Sequence, residues 1–174
     1  MKSVKLNIYL IRHAEKDLTG QHLSSRGKQQ VTFLTKRLKN LRLTKIYCSD
    51  LERCKETILP LTTKKDYSTF FTPLLREVEG EVKEHPEKHQ QKIKPLQQFT
   101  KKILQEKGNI LIVGSGNVNR ILLSFFLKIL PQQARFIQTP TGLNHIEQLK
   151  NKTLRIVCIN DTSHLPQKLN KRQT

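Results

Sequence analysis

Short apolar runs alternate with amphipathic stretches along this chain, and this alternation restricts the fold more than any other feature. Residues 5–11 and 44–48 are runs rich in β-branched and aromatic side chains, as strands are. Between them, Val31, Leu34 and Leu38 recur at three- and four-residue spacing, which is typical of one face of a helix. A strand, a helix and a second strand in this order predict parallel strands covered by helices.

The same alternation continues through the rest of the chain. Leu51, Cys54 and Ile58 predict a second helix, which Pro60 should help to end because proline lacks a backbone donor. The later segments predict, in chain order, a loop or a solvated helix start over 79–94, a helical stripe formed by Leu96, Phe99 and Ile103, a strand over 110–113, a glycine-bearing turn over 114–117, a largely buried helix over 118–130, and strands over 143–149 and 153–159. The expected fold class is a three-layer α/β/α sandwich with a mostly parallel central sheet.

Length and charge limit the domain organisation and the partners. A chain of 174 residues predicts one domain over 1–166, followed by a basic tail over 167–174 that should fray. There are 32 Lys and Arg residues against 14 Asp and Glu residues, a net charge of +18, and such a surface attracts anions. The basic residues are spread along the chain. A solvated basic surface and weak binding of polyanions such as RNA are therefore both open.

The cysteines and the apolar runs bear on the location of the protein. Cys48, Cys54 and Cys158 lack metal-ligand spacing and lie in apolar segments, so we expect free buried thiols in a reducing compartment. The apolar run near the N-terminus is too short for a signal peptide, and no stretch is long enough to cross a membrane. A cytoplasmic location is expected.

Three polar segments follow predicted strands, and the carboxyl ends of parallel strands form the ligand crevice in sheets of this kind. They are Arg12 with His13, residues 49–53 and residues 114–117. His13 is either a core or capping residue or a nucleophile, since a neutral imidazole can accept a phosphoryl group, and Arg12 could hold a phosphate in a bidentate fork. Arg53 is either an exposed arginine at a capped helix start or part of an anion site at that start.

Five segments carry a resemblance to a known family. They are IRHA at 11–14, SDLERCKET at 49–57, PLLRE at 73–77, VGSGNVNR at 113–120 and NDTSHL at 160–165. In this order the chain resembles the histidine phosphatase superfamily, the phosphoglycerate-mutase-like proteins, over roughly residues 5–166. PLLRE, GNVNR and the missing tryptophan-containing acidic motif of mutases make it more similar to the protein-phosphatase branch. That branch includes the mitochondrial phosphoglycerate-mutase-like Ser/Thr phosphatase.

The resemblance implies a role for each matching crevice residue. His13 would be the nucleophile that becomes phosphorylated, and Arg12 and Arg53 would bind the phosphoryl oxygens. Gly116 and Asn117, at a helix start, would contribute further phosphate binding. The implied activity is hydrolysis of phosphate monoesters without a metal or cofactor. The implied partner is a phosphorylated substrate, either a phosphoprotein, a nucleotide or a small phosphate ester, and the oligomeric state is left open.

The acid of the PLLRE segment completes the implied machinery. Glu77 would give a proton to the leaving alcohol and later activate water, a role that needs a carboxyl kept protonated by partial burial and by the phosphate charge. Read from the residues alone, Glu77 is a surface glutamate paired with Arg76. Glu79 and Glu81 are close enough in sequence to leave the identity of the acid open.

The chain departs from the family pattern at Ser115, which stands where these proteins usually carry a second catalytic histidine. That histidine supplies a cationic donor to the phosphoryl oxygens, whereas serine supplies a neutral hydroxyl, and charge-assisted bonds are roughly twice as strong. Three interpretations are open: a weakened natural enzyme, a pseudo-phosphatase that recognises phosphate without hydrolysing it, and a substitution introduced to trap a complex. The sequence argues against two other functions of this turn. A dinucleotide-binding loop at Gly114 and Gly116 would need a third glycine, which is missing. A serine hydrolase with Ser115 as nucleophile would need a carboxylate placed to orient His13, and none is evident.

The other histidines show no metal-binding pattern. His22, His85, His89 and His145 are assigned to surface or loop positions, and His164 to a structural role that ties the last strand to the crevice rim.

Overall fold

A computed structural model of the chain describes residues 3–78 and 86–170. Six strands form one sheet, in the order β3-β2-β4-β1-β5-β6. The strands are β1 (Val4–Arg12), β2 (Lys45–Ser49), β3 (Ser68–Thr72), β4 (Gly108–Gly114), β5 (Leu143–Leu149) and β6 (Leu154–Asp161). The helices are α1 (Ser25–Leu38), α2 (Glu52–Thr62), α3 (Pro86–Ile103) and α4 (Gly116–Leu127). Strands β1 to β4 pair in parallel, while β5 and β6 pair antiparallel.

Helices cover both faces of the sheet, because alternate side chains of each buried strand point to opposite sides. On one face Ile8 and Leu10 of β1 pack in a buried cluster with apolar residues of α3 and α4. On the other face Tyr9 and Ile11 pack with the buried residues of α1 and α2. The three-layer α/β/α sandwich with a mostly parallel sheet is therefore confirmed.

Two local predictions need correction. Pro60 lies inside α2, which continues to Thr62. Proline removes only its own backbone donor, and the buried side chains of Ile58 and Leu61 hold the last turn in place. The sequence also gave no sign of β3, an edge strand whose Phe70 and Phe71 are about half exposed, because its pattern lacks a buried face.

The chain end also differs from the predicted frayed tail. Residues 167–169 form a short 3₁₀ helix, and Leu169 is buried. The Gln30 side chain of α1 donates to the Leu169 carbonyl at 3.0 Å. This contact ties residues up to Asn170 to the domain, while residues 171–174 lie outside the described ranges. Within those ranges, none of the helices combines the length and the apolar character that a membrane span needs.

Candidate active site

His13 lies directly after β1, where its main-chain N–H donates to the Gly114 carbonyl at 3.0 Å. Its side chain is 2% exposed. Nδ1 lies 2.7 Å from the carbonyl oxygen of Ala14, and Nε2 lies 3.2 Å from Nε of Arg53. A guanidinium can only donate and a carbonyl can only accept, so the proton belongs on Nδ1. Nε2 then carries the lone pair, on the side that faces Arg53.

The surroundings of His13 keep its imidazole neutral. Burial is the main cause that lowers its pKa, from 6.5 to about 3, and the positive charges of Arg12, Arg53 and Lys16 lower it further. The hydrogen bond to the Ala14 carbonyl opposes this shift. A neutral imidazole keeps its lone pair, which is the form that attacks phosphorus.

The two crevice arginines are positioned by main-chain carbonyls. Arg53 stands at the start of α2, and its Nη1 donates to the Gly20 carbonyl at 2.6 Å. Nη1 of Arg12 donates to the Gln138 carbonyl at 2.7 Å. Both guanidiniums act electrostatically on His13. The structure thus brings together three of the predicted site residues at the carboxyl ends of the strands.

Glu77 lies against the N-terminus of α4. Its Oε2 accepts from the Gly116 N–H and its Oε1 accepts from the Asn117 N–H, both at 3.2 Å. Amides in the first turn of a helix have no partner within the helix and favour a negative charge. In this arrangement both carboxyl oxygens of Glu77 act as acceptors. Arg76 pairs with Asp50 instead, so the alternative Arg76–Glu77 pair is wrong. Glu79 and Glu81 lie outside the described residues.

Ser115 is the N-cap residue of α4, yet its hydroxyl caps nothing. The side chain is fully buried, and in the part of the chain that the structure describes its Oγ has no hydrogen-bond partner. The Asn117 amide, one of the two that an N-cap hydroxyl usually bonds, goes to Glu77. An unpartnered buried hydroxyl costs about 1–3 kcal/mol, so Ser115 contributes little to stability at this position.

A cavity of about 440 Å³ opens beside these residues. Its wall includes Arg12, Glu77 and Asn117, and also Arg120 and Arg135, to which the sequence analysis gave no role. Arg120 belongs to the VGSGNVNR segment, so the motif contained a signal for it, whereas Arg135 stands in no recognisable pattern. Cavities of this size bind small organic molecules in other proteins.

Residues 8–102 match the family model of the histidine phosphatase superfamily (branch 1). The chain belongs to this superfamily. A Schizosaccharomyces pombe protein described as a probable phosphatase is 27% identical in an alignment that covers 92% of this chain and 95% of that protein.

Solved phosphatase structures share the fold. The alpha-ribazole phosphatase of Shigella flexneri superposes with a TM-score of 0.72 at 18% identity, covering 89% of this chain and 96% of that chain. The phosphoserine phosphatase of Entamoeba histolytica in complex with 3-phosphoglyceric acid gives a TM-score of 0.73 at 19% identity, covering 92% of this chain and 100% of that chain. Nothing in these comparisons distinguishes the mitochondrial protein-phosphatase branch, which stays a prediction.

Three other histidines, His164, His22 and His145, lie away from His13 in this histidine phosphatase. Nε2 of His164 lies 3.4 Å from Oγ1 of Thr141, whose main-chain N–H donates to the Arg12 carbonyl, so His164 stands at the crevice rim. His22 is exposed beside Glu56.

His145 departs from its predicted surface or loop position. It lies within β5, half-buried and stacked on Tyr9 with the ring centroids 4.5 Å apart. His145 is the register partner of Tyr9 in the neighbouring strand β1, which explains the stacking of the two rings. His85 and the side chain of His89 lie outside the described residues.

Acidification should destabilise the protein through His13. Below pH 6.5 the unfolded chain takes up a proton that the folded chain, with a His13 pKa of about 3, does not. The free energy of unfolding should therefore fall by about 1.4 kcal/mol per pH unit between these values. The free energy of unfolding is measured with urea at pH 6.5 and at pH 5.0. Its decrease between the two pH values should be about 2 kcal/mol smaller in His13→Gln than in the wild-type chain. Equal losses would mean that His13 is charged in the folded protein.

Removing the Arg53 side chain should weaken binding of inorganic phosphate by about tenfold or more. Arg53 is one of two guanidiniums that act on the crevice, and a hydrogen bond to a charged group contributes about 1.5–3 kcal/mol. Calorimetric titration of Arg53→Ala with phosphate measures the loss. Arg42→Ala serves as the control, because Arg42 is exposed in the loop between α1 and β2. If both variants bind phosphate equally well, Arg53 does not touch the anion.

Proposed function

We propose that this histidine phosphatase hydrolyses phosphate monoesters through a phosphohistidine on Nε2 of His13. The observation that carries the proposal is the buried neutral imidazole, whose Nδ1 is held by the Ala14 carbonyl and whose Nε2 faces the Arg53 guanidinium. Holding one nitrogen fixes the tautomer and leaves the other as the nucleophile.

In the first step, Nε2 attacks phosphorus and the bond from phosphorus to the ester oxygen breaks. Arg12 and Arg53 stabilise the phosphoryl oxygens by charge-assisted hydrogen bonds. The leaving alkoxide takes a proton from the Glu77 carboxyl. In the second step, Glu77 accepts a proton from water, the water oxygen attacks phosphorus, and the bond from phosphorus to Nε2 breaks, which regenerates His13 and releases phosphate.

The bonds of Glu77 suggest how substrate binding prepares it for this role. Before substrate binds, Glu77 occupies the amides of Gly116 and Asn117 at the start of α4. A helix N-terminus is also a favourable site for a phosphoryl group. We propose that the phosphoryl oxygens take over these amides and release Glu77 next to the leaving oxygen.

Ser115 weakens this machinery in our proposal. Its hydroxyl can replace only part of a cationic donor, and loss of one well-placed transition-state donor typically lowers turnover by about 10²–10³. The second candidate is a phosphate-recognition module that uses the same pocket without turnover. Ser115 itself favours it, because a neutral and fully buried side chain stands where the resemblance implies a second catalytic histidine.

Labelling separates the two candidates. The chain is incubated with a ³²P-labelled phosphoryl donor such as acetyl phosphate and quenched in alkali, which preserves phosphohistidine. An acid-labile label on His13 supports the phosphatase. Phosphate binding by calorimetry without label or turnover supports the recognition module.

The substrate of the proposed phosphatase is a phosphoprotein, a nucleotide or a small phosphate ester, and no metal or cofactor takes part in the proposed steps. We further propose a cytoplasmic location. The three cysteines are unpaired, and burial raises the pKa of the Cys54 thiol to about 12, as suits inert thiols in a reducing compartment.

A further inference from the structure

The cavity beside the crevice carries more positive charge than the proposed phosphoryl transfer uses. Arg12 and Arg53 account for the phosphoryl group in that proposal. Arg120 and Arg135 also line the cavity. They come from α4 and from the segment after it, and neither has a role in the proposed reaction.

Arg120 is held in place by two hydrogen bonds. Its Nε donates to the Ala134 carbonyl at 3.0 Å, and its Nη1 donates to Oδ1 of Asn117 at 3.3 Å. A guanidinium carries five N–H donors, so these contacts orient the group and leave donors for a ligand. An anion that binds here meets a side chain whose freedom is already restricted, which reduces the entropic cost of binding.

Arg135 follows the residue that holds Arg120, because Ala134 supplies the carbonyl that accepts from Arg120. The Arg135 side chain is exposed. In residues 3–78 and 86–170 neither arginine forms an ion pair with a carboxylate. Two guanidiniums that line one cavity and have no negative partner among the described residues create a local potential that attracts anions.

The remaining wall of the cavity fits a small organic anion. Among the described residues that line it, Glu77 is the one carboxylate, and it lies at the start of α4, where its oxygens accept from Gly116 and Asn117 before a ligand binds. Phe136 and Ile137 add apolar surface next to Arg135. The cavity of about 440 Å³ therefore combines an apolar side and a second cationic end, and it meets the proposed phosphoryl position only through Arg12, which lines the cavity and acts on His13.

We infer that Arg120 and Arg135 form a second anion site, which selects phosphate monoesters whose alcohol part carries another anionic group. This inference rests on the proposed function only in placing the phosphoryl group at His13. The shared chemistry is a compact anion that accepts from guanidinium N–H groups, either a carboxylate or a second phosphate. Esters with an uncharged alcohol part fill the phosphoryl end and leave the second site without a ligand.

Three matched probes test the site: phenyl phosphate, 4-carboxyphenyl phosphate and 1,4-phenylene bisphosphate. Their affinities are measured by calorimetry with the full chain, Arg135→Gln and Arg42→Gln. We expect at least one of the two doubly anionic probes to bind the wild-type chain about tenfold or more tightly than phenyl phosphate. Arg135→Gln should remove most of this preference and leave phenyl phosphate unchanged. Arg42→Gln, with the same charge change at a distant exposed position, should preserve it.

The two probes also tell the two ligand chemistries apart. A preference confined to the carboxylate identifies an acid as the second group, and one confined to the bisphosphate identifies a phosphate. Equal affinity for all three probes, or a preference that survives in Arg135→Gln, would overturn the inference. Turnover of phenyl phosphate is recorded in parallel. A binding preference without any turnover contradicts only the proposed catalysis, whereas turnover without a preference contradicts only the second anion site.

Discussion

Replacing His13 by alanine is expected to lower phosphatase turnover by at least about a thousandfold, to the level of the uncatalysed background. The proposed nucleophile is Nε2 of this residue, and losing a nucleophile removes the covalent route altogether. The measurement is steady-state hydrolysis of phenyl phosphate, together with the phosphohistidine label, which should disappear.

Stability must be checked in the same experiment, because His13 is buried and not solvent-facing. Alanine leaves a cavity there, so His13→Gln is the better companion variant: a glutamine oxygen can still accept from the Arg53 guanidinium. His145→Gln controls for loss of a histidine elsewhere, since His145 lies within β5 against Tyr9. Substantial turnover in folded His13→Gln would remove His13 as the nucleophile.

The sequence could predict the place of the site because that place follows from topology. Arg12 and Gly114 are register partners at the ends of β1 and β4, and α2 and α4 begin close to the ends of their preceding strands. Parallel strands bring such ends to one edge whatever the side chains are. The apolar runs that mark these strands are buried and strongly patterned, so they could be recognised from composition and spacing alone.

The hydrogen bonds within the site could not be predicted in the same way. The position of Glu77 depends on a turn after an exposed edge strand, β3, for which the sequence carried no periodic signal. Its carboxylate takes the amides of Gly116 and Asn117, and the Asn117 amide is one that a serine at this N-cap could bond. Among the described residues the Ser115 hydroxyl is left without a partner beside this competing acceptor. Competition of this kind is settled by tertiary contacts and has no counterpart in local sequence.

The chain end and His145 show the same limit at longer range. A polar, basic tail predicts fraying, yet Leu169 finds a buried position and its carbonyl finds the Gln30 side chain of α1. His145 looks like a surface residue in sequence, but its partner Tyr9 is 136 positions earlier in the chain. A single contact between residues so far apart in the chain produces no periodic pattern in the sequence, so it cannot be predicted from spacing.

Restoring a histidine at position 115 is expected to raise turnover by about two to three orders of magnitude. The proposed reaction otherwise has its parts in place: a neutral nucleophile, two guanidiniums and a carboxylate at the start of α4. Adding a cationic donor to the phosphoryl oxygens should supply the missing transition-state stabilisation. Hydrolysis of phenyl phosphate by Ser115→His measures the gain.

Steric fit decides whether this experiment is fair, because Ser115 is fully buried. Its backbone is extended, with φ −103° and ψ 168°, a conformation that histidine adopts readily. Gly116 beside it borders the cavity. Ser115→Ala is the matched control: it removes a hydroxyl that has no partner among the described residues, so stability should not fall and turnover should change by less than about tenfold.

Thermal unfolding and phosphate titration establish that Ser115→His is folded and binds phosphate. If this folded, phosphate-binding variant stays at background turnover across phenyl phosphate and its doubly anionic analogues, the missing donor is not the deficit. The phosphatase proposal then fails, and phosphate recognition without hydrolysis is the function that the crevice supports.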